Sequence, residues 1–255
     1  LLPSPWAVVR SFCGLAQTTE FYRSILHTLL RVAAGFAAGM AAGLLAGTLT
    51  AFSRAADVLL TPLKNIIKAT PVTSFIVLIL LYFSSNVTPS AVAFLAVLPI
   101  CWSNVCEGLR QTDKKMTELA HAYAFGRKKT LREIYFPAVR PYLSAAATTG
   151  LGFAWKSCVA AEVIALSKNS VGRALYESKL YLETAELFAW TASVVLISVL
   201  FEKLLVHKLF KNKNTEGAAG RRSESLEHGH ASCEAELQYK SDAYAEYGRD
   251  EERNI

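Results

Sequence analysis

Two ionisable residues, Lys156 and Glu162, stand in the otherwise apolar stretch Pro141–Leu166. Charges in such surroundings face a protein interior, a water-filled path or a partner, and each is a functional candidate by default. The two lie six residues apart. On a helix that separation turns about 240°, so they share no face and do not pair neatly with each other. Lys156, with Trp155 beside it, is a candidate lining for a path that favours an anion, and Glu162 is a second candidate. The plainer reading is a structural pair with another helix or with a second copy of the chain.

Other chemistry is sparse. No G-x-x-x-x-G-K-[ST] loop occurs, so the chain itself is not expected to bind or hydrolyse ATP. Neither G-x-S-x-G nor H-E-x-x-H occurs, and His27, His121, His207, His228 and His230 form no catalytic constellation. His228-Gly229-His230 with Cys233 matches no standard zinc spacing. Of the five cysteines, Cys101, Cys106 and Cys158 lie in apolar runs, and none, Cys13 included, makes a C-x-x-C pair. No catalytic residue, metal site or cofactor is expected on this chain.

The elements that must position Lys156 and Glu162 are written in the charge pattern. No Asp, Glu, Lys or Arg occurs from Ala69 to Cys106, a run of 38, or from Val32 to Ser53, a run of 22. About 20 apolar residues cross a bilayer as a helix. The fold class is all-α integral membrane, with five spans at about 24–52, 66–83, 89–107, 141–166 and 186–207. The second and third are parted by the turn formers Ser84–Ser90. Gly108–Arg140 holds eight Lys and Arg and that turn holds none. The positive-inside rule therefore places 108–140 and the C-terminus in the cytoplasm and the turn outside. The domain plan is an extracytoplasmic segment 1–23, a membrane domain 24–207 and a disordered polar cytoplasmic tail 208–255. Five spans with the tail inside put the N-terminus outside, and a further span before Leu1 is expected to resolve that.

Within the first span Gly35, Gly39, Gly43 and Gly47 recur every four residues. Small residues at this spacing let helix backbones approach closely in lipid. The same stripe serves a static contact or a moving interface. Between the third and fourth spans, Lys114–Phe125 has helical composition and Gly126 sits where a left-handed cap would close that helix. Thr130-Leu131-Arg132-Glu133 matches a capping box for a second short helix, and Pro137 is expected to stop it. A helix–turn–helix tethered to the bilayer at both ends is badly placed to enter a DNA groove, so no nucleic acid partner is expected. A solvated basic loop, or a docking element for a cytoplasmic protein, remains.

Glu118-Leu119-Ala120, Gly126 and Ile134-Tyr135-Phe136-Pro137 together resemble the E-A-A…G…I-x-L-P signature of permease subunits of bacterial ABC importers. Leu2-Pro3-Ser4-Pro5, His27–Gly47, Pro62-Leu63 with Ala69-Thr70-Pro71, and Ala154-Trp155-Lys156 with Ala161-Glu162 are similar to segments of the nitrate/sulfonate/taurine-type branch. The likeness runs from about Leu2 to Val206. Phe136 replaces the usual Leu, and the second Ala of E-A-A is displaced, the order here being Glu118-Leu119-Ala120.

The resemblance implies a bundle of six helices in the bacterial plasma membrane, passing a small anionic or polar organic solute inward by alternating access. It implies that Glu118, Ala120, Gly126, Ile134 and Pro137 couple to a cytoplasmic ATPase that holds the ATP and Mg. It further implies an extracytoplasmic solute-binding protein and a second permease copy as partners, all within the lipid bilayer. A self-sufficient channel or ion-coupled carrier is the alternative, distinguished by needing no ATPase. A membrane-embedded enzyme is disfavoured by the absence of clustered catalytic side chains.

Overall fold

The computed structural model describes residues 3–113, 116, 118, 120, 122, 123 and 125–210. Every regular element among them is helical. The chain divides into two units, Leu1–Val206 and His207–Ile255, and the helical bundle is the first of them. The 211–255 part of the expected tail, with His228, His230 and Cys233, lies outside the described residues.

The opening segment is not extended. Ser4 caps helix α1 (Pro5–Leu15), its hydroxyl accepting from the Ala7 N–H at 3.3 Å, with Pro5 at the first helical position. Both residue types favour those places, because the cap satisfies an orphan donor and proline has none to lose. Helix α2 (Thr19–Phe52) comes next and starts five residues before the expected first span.

The span expected at 66–83 is two helices. Helix α3 (Arg54–Ala69) and helix α4 (Val72–Tyr82) meet at a bend of 104°. Pro71 has no N–H to continue the ladder, and it pushes Thr70 out of helical geometry to φ −77°, ψ 128°. Hydropathy does not register that break. The stretch Ser53–Asn65, expected as a loop, is mostly helix α3, capped by Ser53.

Helix α5 (Thr88–Arg110) covers the third span. The short helix α6 (Arg127–Thr130), a π-turn (Leu131–Tyr135) and helix α7 (Phe136–Ala165) then run in direct succession. Helix α8 (Val171–Leu180) is invisible to hydropathy, and helix α9 (Thr184–Phe210) covers the fifth span. By length and apolarity Thr19–Phe52, Thr88–Arg110 and Thr184–Phe201 can each cross a bilayer, and the bent α3–α4 pair makes a fourth. At 30 residues, or about 45 Å, α7 has the length, though its polar residues keep it out of that set.

The core is helix packed on helix. All four glycines Gly35, Gly39, Gly43 and Gly47 are buried against α5. A β-carbon on Gly39, Gly43 or Gly47 would come within 2.8, 2.6 and 2.8 Å of the β-carbons of Val97, Cys101 and Val105. A four-residue ridge on one helix thus lies along a four-residue ridge on the other, with backbones as near as L-residues permit. The Trp102 indole N–H donates to the Thr50 hydroxyl at 3.0 Å and pins the far end of this contact. Val97, Leu151, Ala154, Trp155 and Cys158 join α5 to α7 in one apolar cluster.

Candidate functional site

Among the described residues the fully buried charged group is the Glu162 carboxylate near the end of α7, with no exposed surface. The Thr28 hydroxyl, from α2, lies 3.0 and 2.9 Å from its two oxygens and donates to it. One turn further along α2, Arg31 Nη1 donates at 2.9 Å to form an ion pair. The Gly172 N–H, in the first turn of α8, donates at 3.2 Å, and the Val171 N–H donates to Thr28 Oγ1 at 3.2 Å. First-turn N–H groups have no partner inside their own helix, so a carboxylate at a helix start is held by donors and dipole together. Gly172 is required here, since a β-carbon would lie 2.7 Å from the Val163 nitrogen and press on the Glu162 side chain.

The junction also reaches a loop. Arg31 Nη2 donates to the Lys168 carbonyl at 2.9 Å and to Asn86 Oδ1 at 3.3 Å. Asn86 Oδ1 accepts from the Lys168 N–H at 3.1 Å, and the Ser167 hydroxyl donates to the Ser85 carbonyl at 2.5 Å. One arginine therefore ties α2, α7, the α7–α8 loop and the α4–α5 turn. Lys156 does not take part. Its side chain is exposed on the protomer, on a strip of α7 with Ala145, Thr149, Phe153, Ala160 and Ile164. Trp155 points the other way and is 3% exposed, and its indole N–H has no partner among the described residues.

The segment between α5 and α7 lies toward the other end of α7. Lys114, Lys115, Thr117, Leu119, His121 and Ala124 lie outside the described residues, while Met116, Glu118, Ala120 and Ala122 are helical. Glu118 is exposed and Ala120 is buried. Three expectations for this segment are corrected. Gly126 is not left-handed, for no glycine among the described residues has positive φ. The preceding turn closes by a Phe125 N–H to Ala120 carbonyl bond of 2.9 Å, and the Gly126 carbonyl accepts from Lys129 and Thr130 at 2.9 and 3.1 Å. Gly126 is thus the cap that opens α6, a place glycine also favours.

Thr130 does not open a helix either. It has helical φ and ψ, and its hydroxyl donates back to the Gly126 carbonyl at 3.4 Å. The capping-box pattern falls inside a helix that has begun three residues earlier. Pro137 ends nothing, because it lies at the start of α7 where its missing N–H matters least. The π-turn before it carries the backbone across, the Phe136 N–H donating to Leu131 five residues back. Ile134 is half-buried and Pro137 exposed, while Tyr135 packs edge-on against Phe52 at 5.3 Å.

Arg31 falls inside the expected first span, 24–52, without being singled out there, and sequence reasoning misses Thr28, Asn86 and Gly172. A usable signal is there: two opposite intramembrane charges, Arg31 and Glu162, each needing a partner.

Long apolar helices packed through glycine, a buried ion pair and a helical segment carried between two spans define a polytopic membrane protein. The pattern of the family described as "binding-protein-dependent transport system inner membrane component" matches residues 39–207, and the chain belongs to that family. It is 27% identical over 220 residues to the putative aliphatic sulfonates transport permease protein SsuC of Bacillus subtilis (strain 168), covering 84% of this chain and 79% of that protein. It is 31% identical to the riboflavin transport system permease protein RibX of Chloroflexus aurantiacus, covering 81% and 80%. One chain of the crystal structure of an amino acid ABC transporter shares the fold with TM-score 0.62 at 14% identity, covering 82% of this chain and 97% of that one. The chain is therefore a multi-pass permease subunit of an ABC importer, not itself an enzyme, with ATP hydrolysis on a separate subunit.

Proposed function

We propose that two copies of this permease pass a small anionic or polar organic solute, an alkanesulfonate being the first to test, into a bacterial cell by alternating access. The C-terminus and the α5–α7 segment face the cytoplasm, and the Ser84–Ser90 turn faces outward, a reading that the basic residues of 108–140 support. A cytoplasmic ATPase that holds the ATP and Mg engages Glu118–Pro137, and a solute-binding protein delivers from outside. Relatives named for aliphatic sulfonates support the solute class.

The observation that carries this reading is the place of Lys156. It lies near the middle of a span yet is exposed on the protomer, and a lysine facing acyl chains there costs several kcal/mol. A water-filled path between two copies is where it can stay charged. Glu162 is already neutralised by Arg31, so Lys156 sets the sign of the path.

The test is uptake of labelled alkanesulfonate by proteoliposomes carrying the permease, its ATPase and its binding protein. ATP-dependent uptake is expected, lost about tenfold or more in Lys156→Met and largely kept in Lys156→Arg. Wild-type uptake in Lys156→Met overturns the path role. Flux through the lone chain without ATPase overturns the importer reading in favour of a channel.

A further inference from the structure

Helix α3 is amphipathic, yet it is packed inside out. On a helix Ala55, Val58, Leu59, Pro62, Leu63 and Ile66 fall within about 140° of arc, and all six are exposed, Val58 and Leu59 by 72 and 77%. The polar side is the one that meets the bundle. Asp57 accepts from the Thr61 hydroxyl at 2.9 Å and pairs with Arg110, at the end of α5, at 2.6 Å. The Lys64 ammonium lies 5.7 Å from the centre of the Trp102 ring. In water such a helix would turn the other way, burying its apolar stripe and wetting its charges. The reversed setting needs an apolar partner outside the protomer.

Charge and surroundings select that partner. Arg54 in the first turn and Lys68 in the last are exposed, and neither enters an ion pair among the described residues. Arg54 also borders a shallow groove of about 790 Å³ whose other walls are Ala55, Val58, Leu59 and Pro62. An apolar trough with a cation at its rim complements an acyl chain joined to an anionic headgroup, as in helices that lie at a membrane surface. The helices joined to α3 are apolar and outward-facing too, with Leu49 and Phe52 exposed on α2 and Val77, Leu78 and Leu81 on α4. A second copy complements the cations poorly. The carboxylate of α3, Asp57, is already taken by Arg110, and 108–140 holds eight Lys and Arg against Asp113, Glu118 and Glu133.

We infer that α3 is a binding site for anionic phospholipid, with an acyl chain along Val58, Leu59 and Pro62 and the phosphate at Arg54. Lys68, about 21 Å further along the axis, meets a separate headgroup. The inference requires the chain to lie in a membrane but no particular solute, ATPase or binding protein. The site borders the Asp57–Arg110 pair, so the lipid stands beside the end of α5 from which the coupling segment departs.

The experiment places the whole transporter, permease with ATPase, in phosphatidylcholine nanodiscs holding a minor share of phosphatidylglycerol with a photoreactive group in one acyl chain. A parallel sample carries the same group on phosphatidylcholine. The expected result is adducts within Arg54–Ala69 that favour phosphatidylglycerol. Arg54→Gln with Lys68→Gln should cut them about fivefold, the worth of one basic side chain at an anionic surface, and leave the phosphatidylcholine adducts unchanged. Leu59→Glu should remove adducts of both lipids, with co-purification of the ATPase as the folding control for each variant. Adducts with no preference for phosphatidylglycerol, or a preference that survives loss of both cations, overturn the headgroup site. Capture of a second permease copy by a photo-crosslinker at position 59 assigns the stripe to a contact between copies and also overturns it. The importer reading is judged separately, by ATP-dependent uptake, and stands or falls without these results.

Discussion

At the scale of single residues, charge is handled by two opposite strategies. Glu162 is withdrawn completely and satisfied by Arg31, Thr28 and Gly172, whereas Lys156, six residues away, is left bare on the protomer. Removing one member of a buried pair strands the other, and that costs about 3–5 kcal/mol. Glu162→Gln keeps the side chain's shape and can still accept from Thr28 and Gly172, but it leaves the Arg31 guanidinium, 13% exposed, without its counter-charge. We expect that variant to unfold about 3 kcal/mol more readily in detergent, measured by thermal or denaturant titration of the purified protein. Lys156→Met should leave the same titration unchanged. Equal destabilisation by both would mean that Lys156, too, holds the bundle together. The Arg31–Glu162 pair spans 131 positions of sequence, so no local motif announces it; only the rule that intramembrane charges seek partners could have suggested it.

At the scale of elements, legibility depends on the kind of signal. Long uncharged runs locate α2, α5 and α9, because the bilayer thickness selects their length. Breaks set by one residue's geometry leave no such trace. Pro71 divides an unbroken apolar run, and α8, with Arg173, Glu177 and Lys179 in ten residues, has no apolar run at all. Short local patterns mislead most. Gly126 and Thr130…Glu133 read as a left-handed turn and a capping box, whereas Gly126 opens α6 and Thr130 lies within it. Gly126→Ser separates the two geometries. Serine is a favoured N-cap but strained in left-handed backbone, and a β-carbon at Gly126 meets nothing within 4 Å. Coupling of ATPase activity to uptake should therefore survive Gly126→Ser, and a loss of coupling would restore the left-handed turn. The glycines of α2 have no such latitude. A valine at Gly43 meets Cys101 at contact distances no backbone tolerates, and overpacking of about 1–3 kcal/mol should show as faster proteolysis within α2 and α5.

At the scale of the molecule, α6, the π-turn and α7 make one nearly continuous helical run, Arg127–Ala165, about 58 Å long at 1.5 Å per residue. One end lies beside Gly126 and the other carries Glu162. A displacement applied at the start of α6 thus has a stiff path to the junction at the opposite end. At that end two loops are tied together, since Ser167 reaches Ser85, while Asn86 is held by both Arg31 and the Lys168 N–H. If the alternating access proposed above opens the bundle outward between the α4–α5 turn and the α7–α8 loop, these loops have to part. Holding them together should then stop transport without disturbing assembly. With Ser85→Cys and Ser167→Cys in a Cys13→Ser, Cys233→Ser background, which removes the exposed Cys13 thiol and the one outside the described residues and leaves Cys101, Cys106 and Cys158 buried, oxidation should abolish uptake in proteoliposomes, and reductant should restore it. Each single cysteine variant should transport under both conditions. Uptake that persists after the cross-link is verified by mass spectrometry would show that the Ser85–Ser167 contact travels as a rigid unit and that the outward opening lies elsewhere in the bundle.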